Sequence, residues 1–514
     1  MPAETHHQQK FTSFILLFVV IKIGLNMLTM SHFGFQRDEL LHLVLGDHLD
    51  WGFKEVPPFI ALLAKISTTL FGGSVFATRI FSTIASGFIV WFTGKIVVEF
   101  GGGRFAIALA CLALIFAPAF AASGYLFQPV VFDQLWWVLS AYLVVKYINT
   151  PDKNYLYLLG VVIGIGLLTK YTMAFFAGAL IVGLLITRER KILWNKHILF
   201  AAIITVLIFL PNILWQFKHH LPLFTHMKNL REEQLNYIRP IDFIRQQLRV
   251  NAMGLFVWLP GLIALLFSAK LSRFRFIAFA YMLVFIFLLE MNGKEYYLFG
   301  AYPMLFAAGG YWFESWLKTR HAAFKAIALL LLTLPNILLL PVALPLLTID
   351  KTIAAFKALH IAPKWEDQKE HPLSQDYADM FGWDELGNKV AWAYSGLTAE
   401  QQKHTQIYAD NYGDAGAVYH YGKKYNLPEV ASLNSSFTLW APDNLNAPYI
   451  IYVDDEGGGN VVKRLAPFVE KYVKIGEVRS PYAREKGTTI FLLINPKPGL
   501  NDIYQKELAK KRLE

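Results

Sequence analysis

Apolar residues come in long runs along this chain, and the loops between the runs carry the charge. A helix that crosses a bilayer needs about 20 such residues, within a range of about 17 to 25. On that measure the pattern predicts about eleven transmembrane helices, over 12–32, 76–98, 105–122, 131–148, 155–169, 171–187, 198–216, 251–269, 276–292, 298–316 and 325–347. The two runs beside Lys170 lie close enough to form one bent segment. Pro57 to Phe71 is too short to span comfortably, opens with Pro-Pro and contains Lys65, so an interfacial or re-entrant helix is expected there. Beyond about residue 350 charged and turn residues become frequent. Helix-like stretches (Asp376 to Leu386, Pro467 to Tyr472) alternate with β-rich runs at Gln406 to Tyr408, Tyr449 to Val453 and Thr488 to Leu493. The expected organisation is a polytopic α-helical membrane domain over 1–350, with outside loops 33–75 and 217–250, followed by a soluble α/β domain over 351–514.

Composition agrees. Of 514 residues 55% are hydrophobic and 17% charged, whereas soluble domains carry about 25% charged residues. The net charge of +10 does not point to nucleic acid, because the basic residues sit in short loops on alternate sides. Those loops hold Lys95 and Arg104; Lys146 and Lys153; Arg188, Arg190, Lys191 and Lys196; Lys270, Arg273 and Arg275; Lys318, Arg320 and Lys325. By the positive-inside rule they are cytoplasmic. The N-terminus is then cytoplasmic and the C-terminal domain extracytoplasmic, which in a bacterial inner (plasma) membrane means periplasmic. The first run, Phe11 to Met30, lacks a small-residue cleavage site and reads as a retained helix. One cysteine, Cys111, excludes a disulfide framework and a cysteine metal site.

The candidate chemistry falls on the outside face. Phe35-Gln36-Arg37-Asp38-Glu39-Leu40 follows the first helix. Two adjacent carboxylates at a membrane surface are costly unless solvated, paired or used. A carboxylate there can act as a general base on an acceptor hydroxyl; it can equally be the acidic first turn of a helix. Lys54 can meet a phosphate or snorkel at the interface. Asp133 lies at the boundary of an apolar helix, where an acid marks a functional site by default. It can bind a metal jointly with Asp38, bind a sugar hydroxyl, or simply sit at a helix N-terminus. Lys170 is a lone cation between apolar runs and requires an anion, either a lipid phosphate or Asp133. Asn292-Gly293-Lys294-Glu295-Tyr296-Tyr297 adds a cation and two phenols suited to phosphate oxygens, although tyrosines also form interfacial belts. His219, His220 and His226 lack metal-ligand spacing, and the glycine runs 101–103 and 457–459 do not match a phosphate loop.

Taken in order, these pieces resemble the family 39-type glycosyltransferases of the GT-C membrane class, akin to dolichyl-phosphate-mannose protein mannosyltransferases and bacterial lipid A aminoarabinose transferases. The match runs through Asp38-Glu39, Pro57-Pro58, Phe71-Gly72-Gly73-Ser74 with Arg79, Asp133, Gly166-Leu167-Leu168-Thr169-Lys170, Pro211 to Gln216, and Lys294 to Pro303. It departs at Val56, where relatives often carry lysine or histidine. The C-terminal Asn411-Tyr412-Gly413-Asp414-Ala415-Gly416-Ala417 looks like a segment of some bacterial members and suggests no role.

The resemblance implies transfer of a sugar from a polyprenyl-phosphate donor to a lipid, glycan or protein acceptor, with inversion. Asp38 would be the base, and Glu39 and Asp133 would orient it, the acceptor or a divalent metal. Lys170 and Lys294, with Lys54, Tyr296 and Tyr297, would hold the leaving phosphate. No other cofactor is implied. A transporter or flippase of a lipid-linked or anionic substrate is the competing class. It predicts inverted repeats with broken helices, and no correspondence between halves is visible. A receptor displaying its C-terminal domain would not need acids in the outside loops.

Overall fold

A computed structural model describes residues 2–318, 320 and 322–513, with side chains described from Phe11 onward. The chain divides into two compact units. The first comprises Met1–His32, Thr78–Leu214 and Asn229–Thr352 and is helical. The second comprises Phe33–Ala77, Trp215–Lys228 and Ile353–Glu514 and is mixed. The residues 33–75, expected as an outside loop, thus cluster with the C-terminal residues.

Each of the eleven apolar runs contains helix. Five helices are long and apolar enough to cross a membrane: Phe11–Thr29, Val75–Glu99, Lys196–Lys218, Ala269–Glu290 and Ala322–Ala343. Two more spans are formed if bent pairs count as one, Thr172–Leu185 with Arg188–Trp194 (117°) and Pro240–Arg249 with Ala252–Phe267 (94°). By length and composition alone five to seven spans thus qualify among the described residues, and shorter apolar helices such as Arg104–Phe116 and Lys153–Thr169 occupy other runs. Run 105–122 divides into Arg104–Phe116 and Pro118–Ser123, with Ala117 extended between them (φ −63°, ψ 128°). Proline disfavours the helical conformation in the residue before it. Run 155–187 divides at Lys170, which is also extended.

Two contacts show how the helical unit is fastened. Lys146 and Glu99, both nearly buried, pair at 2.8 Å and tie the ends of helices Pro129–Asn149 and Val75–Glu99. Glu314 accepts the backbone N–H of Gly103 (2.5 Å) and of Phe105 (3.2 Å), capping helix Arg104–Phe116. A carboxylate there answers both the unpaired donors and the positive end of the helix dipole.

The second unit has a sheet of β1 (Thr405–Ala409), β2 (Val430–Ala431), β3 (Tyr449–Asp454), β4 (Val469–Glu477) and β5 (Thr489–Pro496). Its order is β2-β1-β3-β5-β4. β1 lies parallel to β2 and β3, and β5 antiparallel to β3 and β4. The core beneath it joins Ile450, Tyr452, Phe491 and Leu493 to Leu500, Tyr504 and Leu508 of helix Pro498–Leu513. The three β-rich runs are strands. Pro467 to Tyr472, expected as helix, is a turn leading into β4. Its sequence VEKYVKIGE carries four charges, Glu470, Lys471, Lys474 and Glu477, and exposed charge suits an edge strand. Asp376 to Leu386 is not one helix either. Gly382 (φ +89°) separates Gln375–Ala378 from Trp383–Ser395.

Two helices of the first outside segment belong to this unit. Helix Arg37–Asp47 starts with a capping box, in which Gln36 accepts from the Asp38 N–H (2.8 Å) and Glu39 accepts from the Gln36 N–H (2.8 Å). Helix Phe59–Phe71 buries Ile60, Ala61, Ala64 and Ser67, exposes Leu62, Leu70 and Phe71, and stops at left-handed Gly72.

Candidate functional site

In the helical unit, the break at Lys170 places a lysine where a continuous helix would have kept it in register with its neighbours. Its ammonium lies 4.8 Å from the ring centre of Tyr296 and 4.7 Å from that of Tyr297. Lys294 approaches the Tyr296 ring at 5.9 Å. The two phenol rings meet edge to face at 4.8 Å. Cation–π contacts of this kind hold a cation in an apolar setting without neutralising it. Asp133 is buried on helix Pro129–Asn149 and interacts electrostatically with Lys170. It accepts from Trp137 Nε1 at 2.9 Å and from Thr172 Oγ1 at 2.7 Å. Thr172 opens the helix after the Lys170 break, so the break aims both the lysine and the hydroxyl at one place. Five residues singled out in the sequence therefore converge: Asp133, Lys170, Lys294, Tyr296 and Tyr297.

The mixed unit holds the rest. Asp38 is half-buried in the first turn of its helix and accepts from Tyr412 Oη at 2.8 Å. Arg37 lies over the Tyr412 ring at 4.5 Å and 3.9 Å from Glu485. Burial alone would lower the Arg37 pKa, but Tyr412, Glu485, Asp379 and Asp38 outweigh it and hold the guanidinium charged. Asp379 is pushed up to about 7 by burial, against the pull of Arg484 and Arg37. Glu39 is fully buried and closes the capping box. Lys54 donates its ammonium to the Lys511 carbonyl and its backbone N–H to Ser436 (2.9 Å). Glu39 thus takes the helix-start role that the sequence offered as an alternative, and Lys54 has a structural engagement that the sequence did not show.

A family model described as dolichyl-phosphate-mannose-protein mannosyltransferase matches residues 55–215. That stretch includes Pro57-Pro58, Asp133 and Lys170. No curated protein sequence matches. Among solved structures, apo ArnT from Cupriavidus metallidurans superimposes with a TM-score of 0.64 at 13% identity, over 94% of this chain and 98% of that one. The same enzyme bound to undecaprenyl phosphate gives 0.60 at 13% identity, with the same coverage. The fold is that of the GT-C membrane glycosyltransferases. The Archaeoglobus fulgidus oligosaccharyltransferase, in complex with Zn and sulfate, gives 0.51 at 11% identity, over 86% of this chain and 68% of that one. With its apolar helices, the GT-C fold makes this chain an integral membrane protein.

One group of carboxylates among the described residues has the spacing to hold a metal ion: Asp410, Asp454 and Asp455. It excludes Asp38 and Asp133. Its oxygens already serve the loops after β1 and β3. Asp410 accepts from Tyr452 and Asn460, Asp454 from the Glu456 and Val461 N–H groups, and Asp455 from Asn411. This group is read as a loop brace.

The residue the sequence missed is Tyr412. Its motif was visible, but the partner lies 374 positions away, and no local pattern reports so distant a pairing.

Proposed function

We propose that this chain is a membrane glycosyltransferase that moves a sugar from a polyprenyl-phosphate donor to an acceptor hydroxyl on the extracytoplasmic face of the inner (plasma) membrane, with inversion. The observation that carries the reading is the convergence of Lys170, Lys294, Tyr296 and Tyr297 beside Asp133 within the apolar helical unit. Two ammonium groups and two phenols in such surroundings suit a phosphate attached to a lipid. ArnT, whose fold this chain shares, has been crystallised with undecaprenyl phosphate.

In this reading the Asp38 carboxylate takes the proton of the acceptor hydroxyl. The hydroxyl oxygen forms the new bond to the anomeric carbon as the anomeric carbon–oxygen bond to phosphate breaks. The electron pair of that bond leaves with the polyprenyl phosphate. Lys170 and Lys294 stabilise its added charge, and the phenols of Tyr296 and Tyr297 donate to its oxygens. Preorganised charge at a leaving group is commonly a large part of catalysis. Asp133 fixes Lys170 through charge, while Trp137 and Thr172 fix Asp133.

Purified protein incubated with labelled polyprenyl-phosphate sugars and an extract of cell-envelope acceptors tests this. A covalent glycosylated product is expected. Uptake of label into sealed vesicles without a covalent product would favour transport and overturn the proposal.

A further inference from the structure

The segment Asn411 to Ala417, which the sequence left without a role, packs its helix against the start of helix Arg37–Asp47. Both helices lie in the mixed unit. Two glycines permit the approach. A Cβ on Gly413 would stand 2.6 Å from Arg37 Nε, and one on Gly416 would stand 3.1 Å from Leu40 Cβ and 3.2 Å from the Leu40 carbonyl carbon. A larger residue at either position would force Arg37 or Leu40 to shift. The close approach brings the Tyr412 hydroxyl to Asp38 Oδ1 at 2.8 Å. Asn411 caps the Tyr412 helix by accepting the Asp414 N–H at 2.9 Å, which fixes the turn that carries the tyrosine. Arg37, stacked on the Tyr412 ring, holds the ring from its face.

We propose that Tyr412 is a positioning residue for the candidate base: its phenol donates to one oxygen of Asp38 and fixes the orientation of the carboxylate. This rests on the proposed role of Asp38. The direction of donation follows from the chemistry. A phenol beside a carboxylate keeps its proton, and burial together with the Asp38 charge raises the Tyr412 pKa further. Hydrogen bonding to the ionised form of a carboxylate lowers its pKa. The other charged groups interacting with this pair are Arg37 and Asp379.

The test is Tyr412→Phe in the full-length protein. The phenyl ring keeps the Arg37 contact and removes only the donor. The turnover number is expected to fall about tenfold, the scale of one charge-assisted hydrogen bond, with KM for the lipid donor unchanged. The acid limb of the pH–rate profile is expected to move to higher pH. Replacing Tyr412 by 3-fluorotyrosine, a stronger donor, is expected to move that limb to lower pH. A Tyr412→Phe protein with wild-type turnover and an unmoved acid limb overturns the proposal. So does a loss of turnover that leaves the acid limb in place in both variants, since a merely structural role would do that. If the wild-type protein transfers no sugar at all, the proposed function fails by itself. The contact is then read from the unfolding temperatures of Asp38→Ala, Tyr412→Phe and the double variant. Coupled losses support the contact, and additive ones refute it.

Discussion

In the helical unit, Lys170 rests against the faces of Tyr296 and Tyr297 and interacts with the carboxylate of Asp133, while Lys294 lies over Tyr296 and interacts with the carboxylate of Glu295. In the mixed unit, carboxylates are matched by cations or donors: Asp47 by Lys65 (3.2 Å) and Lys423 (2.5 Å), Asp379 by Arg484 (3.3 Å), Asp38 by Tyr412 (2.8 Å). The first arrangement holds both cations in apolar surroundings by ring faces and by charge, with no carboxylate bonded directly to either among the described residues. That is costly unless an anion arrives, because burying a charge carries a desolvation penalty that only a partner offsets. The second arrangement is already settled and supplies an oriented carboxylate.

Exchanging a single atom should break this division most severely at Asp38. Asp38→Asn keeps the shape and can still accept from Tyr412, but it cannot take a proton. Transfer should fall below detection while expression and unfolding temperature stay near wild type. An Asp38→Asn protein of normal activity would sink the assignment of the base. Next in size is Lys170→Met, which keeps the apolar stem and removes the charge. The value of kcat/KM should drop about a hundredfold, the scale of losing one buried charge contact, and binding of polyprenyl phosphate alone should weaken in parallel. Equal binding by Lys170→Met and wild type would move the phosphate site elsewhere. A smaller loss, about three- to tenfold in the same binding assay, is expected for Tyr297→Leu. It deletes one of the two ring faces against Lys170, a contact worth about 1–2 kcal/mol when desolvated.

The same contrast explains how far the sequence could be read. The residues of the helical cluster were legible one by one, because a charge inside an apolar run is conspicuous wherever it falls. Asp133, Lys170 and Lys294 all showed in this way. Their convergence depends on the extended backbone at Lys170, and the run there was already recognisable as bent. In the mixed unit charge is common, so its meaning lies in pairing. Glu39 beside Asp38 looked like a second candidate, and its role as a helix cap is a local pattern that Gln36 makes readable afterwards. Lys54 stood close to Pro57-Pro58, but its ammonium reaches Lys511, a partner far along the chain. β4 was hidden because this edge strand carries four charges in nine residues and lacks the apolar run that marked β1, β3 and β5. Residues 33–75 read as a loop because nothing local announces that they cluster with a domain 300 residues later.

The last expected effect concerns stability and tests the packing around the Tyr412 helix. His420, on the same helix as Tyr412, meets the edge of the Phe35 ring at 4.9 Å. Burial, with help from Lys423, lowers its pKa from 6.5 to about 4, against the pull of Asp47. The folded state therefore prefers the neutral imidazole, and the unfolded chain binds a proton first as the pH falls. Its contribution to stability is complete above pH 6.5 and is lost as the pH drops toward 4, by up to about 3 kcal/mol. Asp379 and Asp410 act in the opposite sense. Each is raised by burial to about 7, so the folded state holds their protons longer, and stability falls as the pH rises from about 4 to 7. In the wild type these slopes partly cancel. His420→Phe keeps an aromatic ring against Phe35 and removes only the titration. Its unfolding temperature should exceed that of wild type by more at pH 4.5 than at pH 7.5. A constant difference at the two pH values would mean that His420 is solvated enough to keep its proton in the folded state. The packing of Phe35 against the Tyr412 helix would then be looser than the mixed unit requires to hold Asp38 in place.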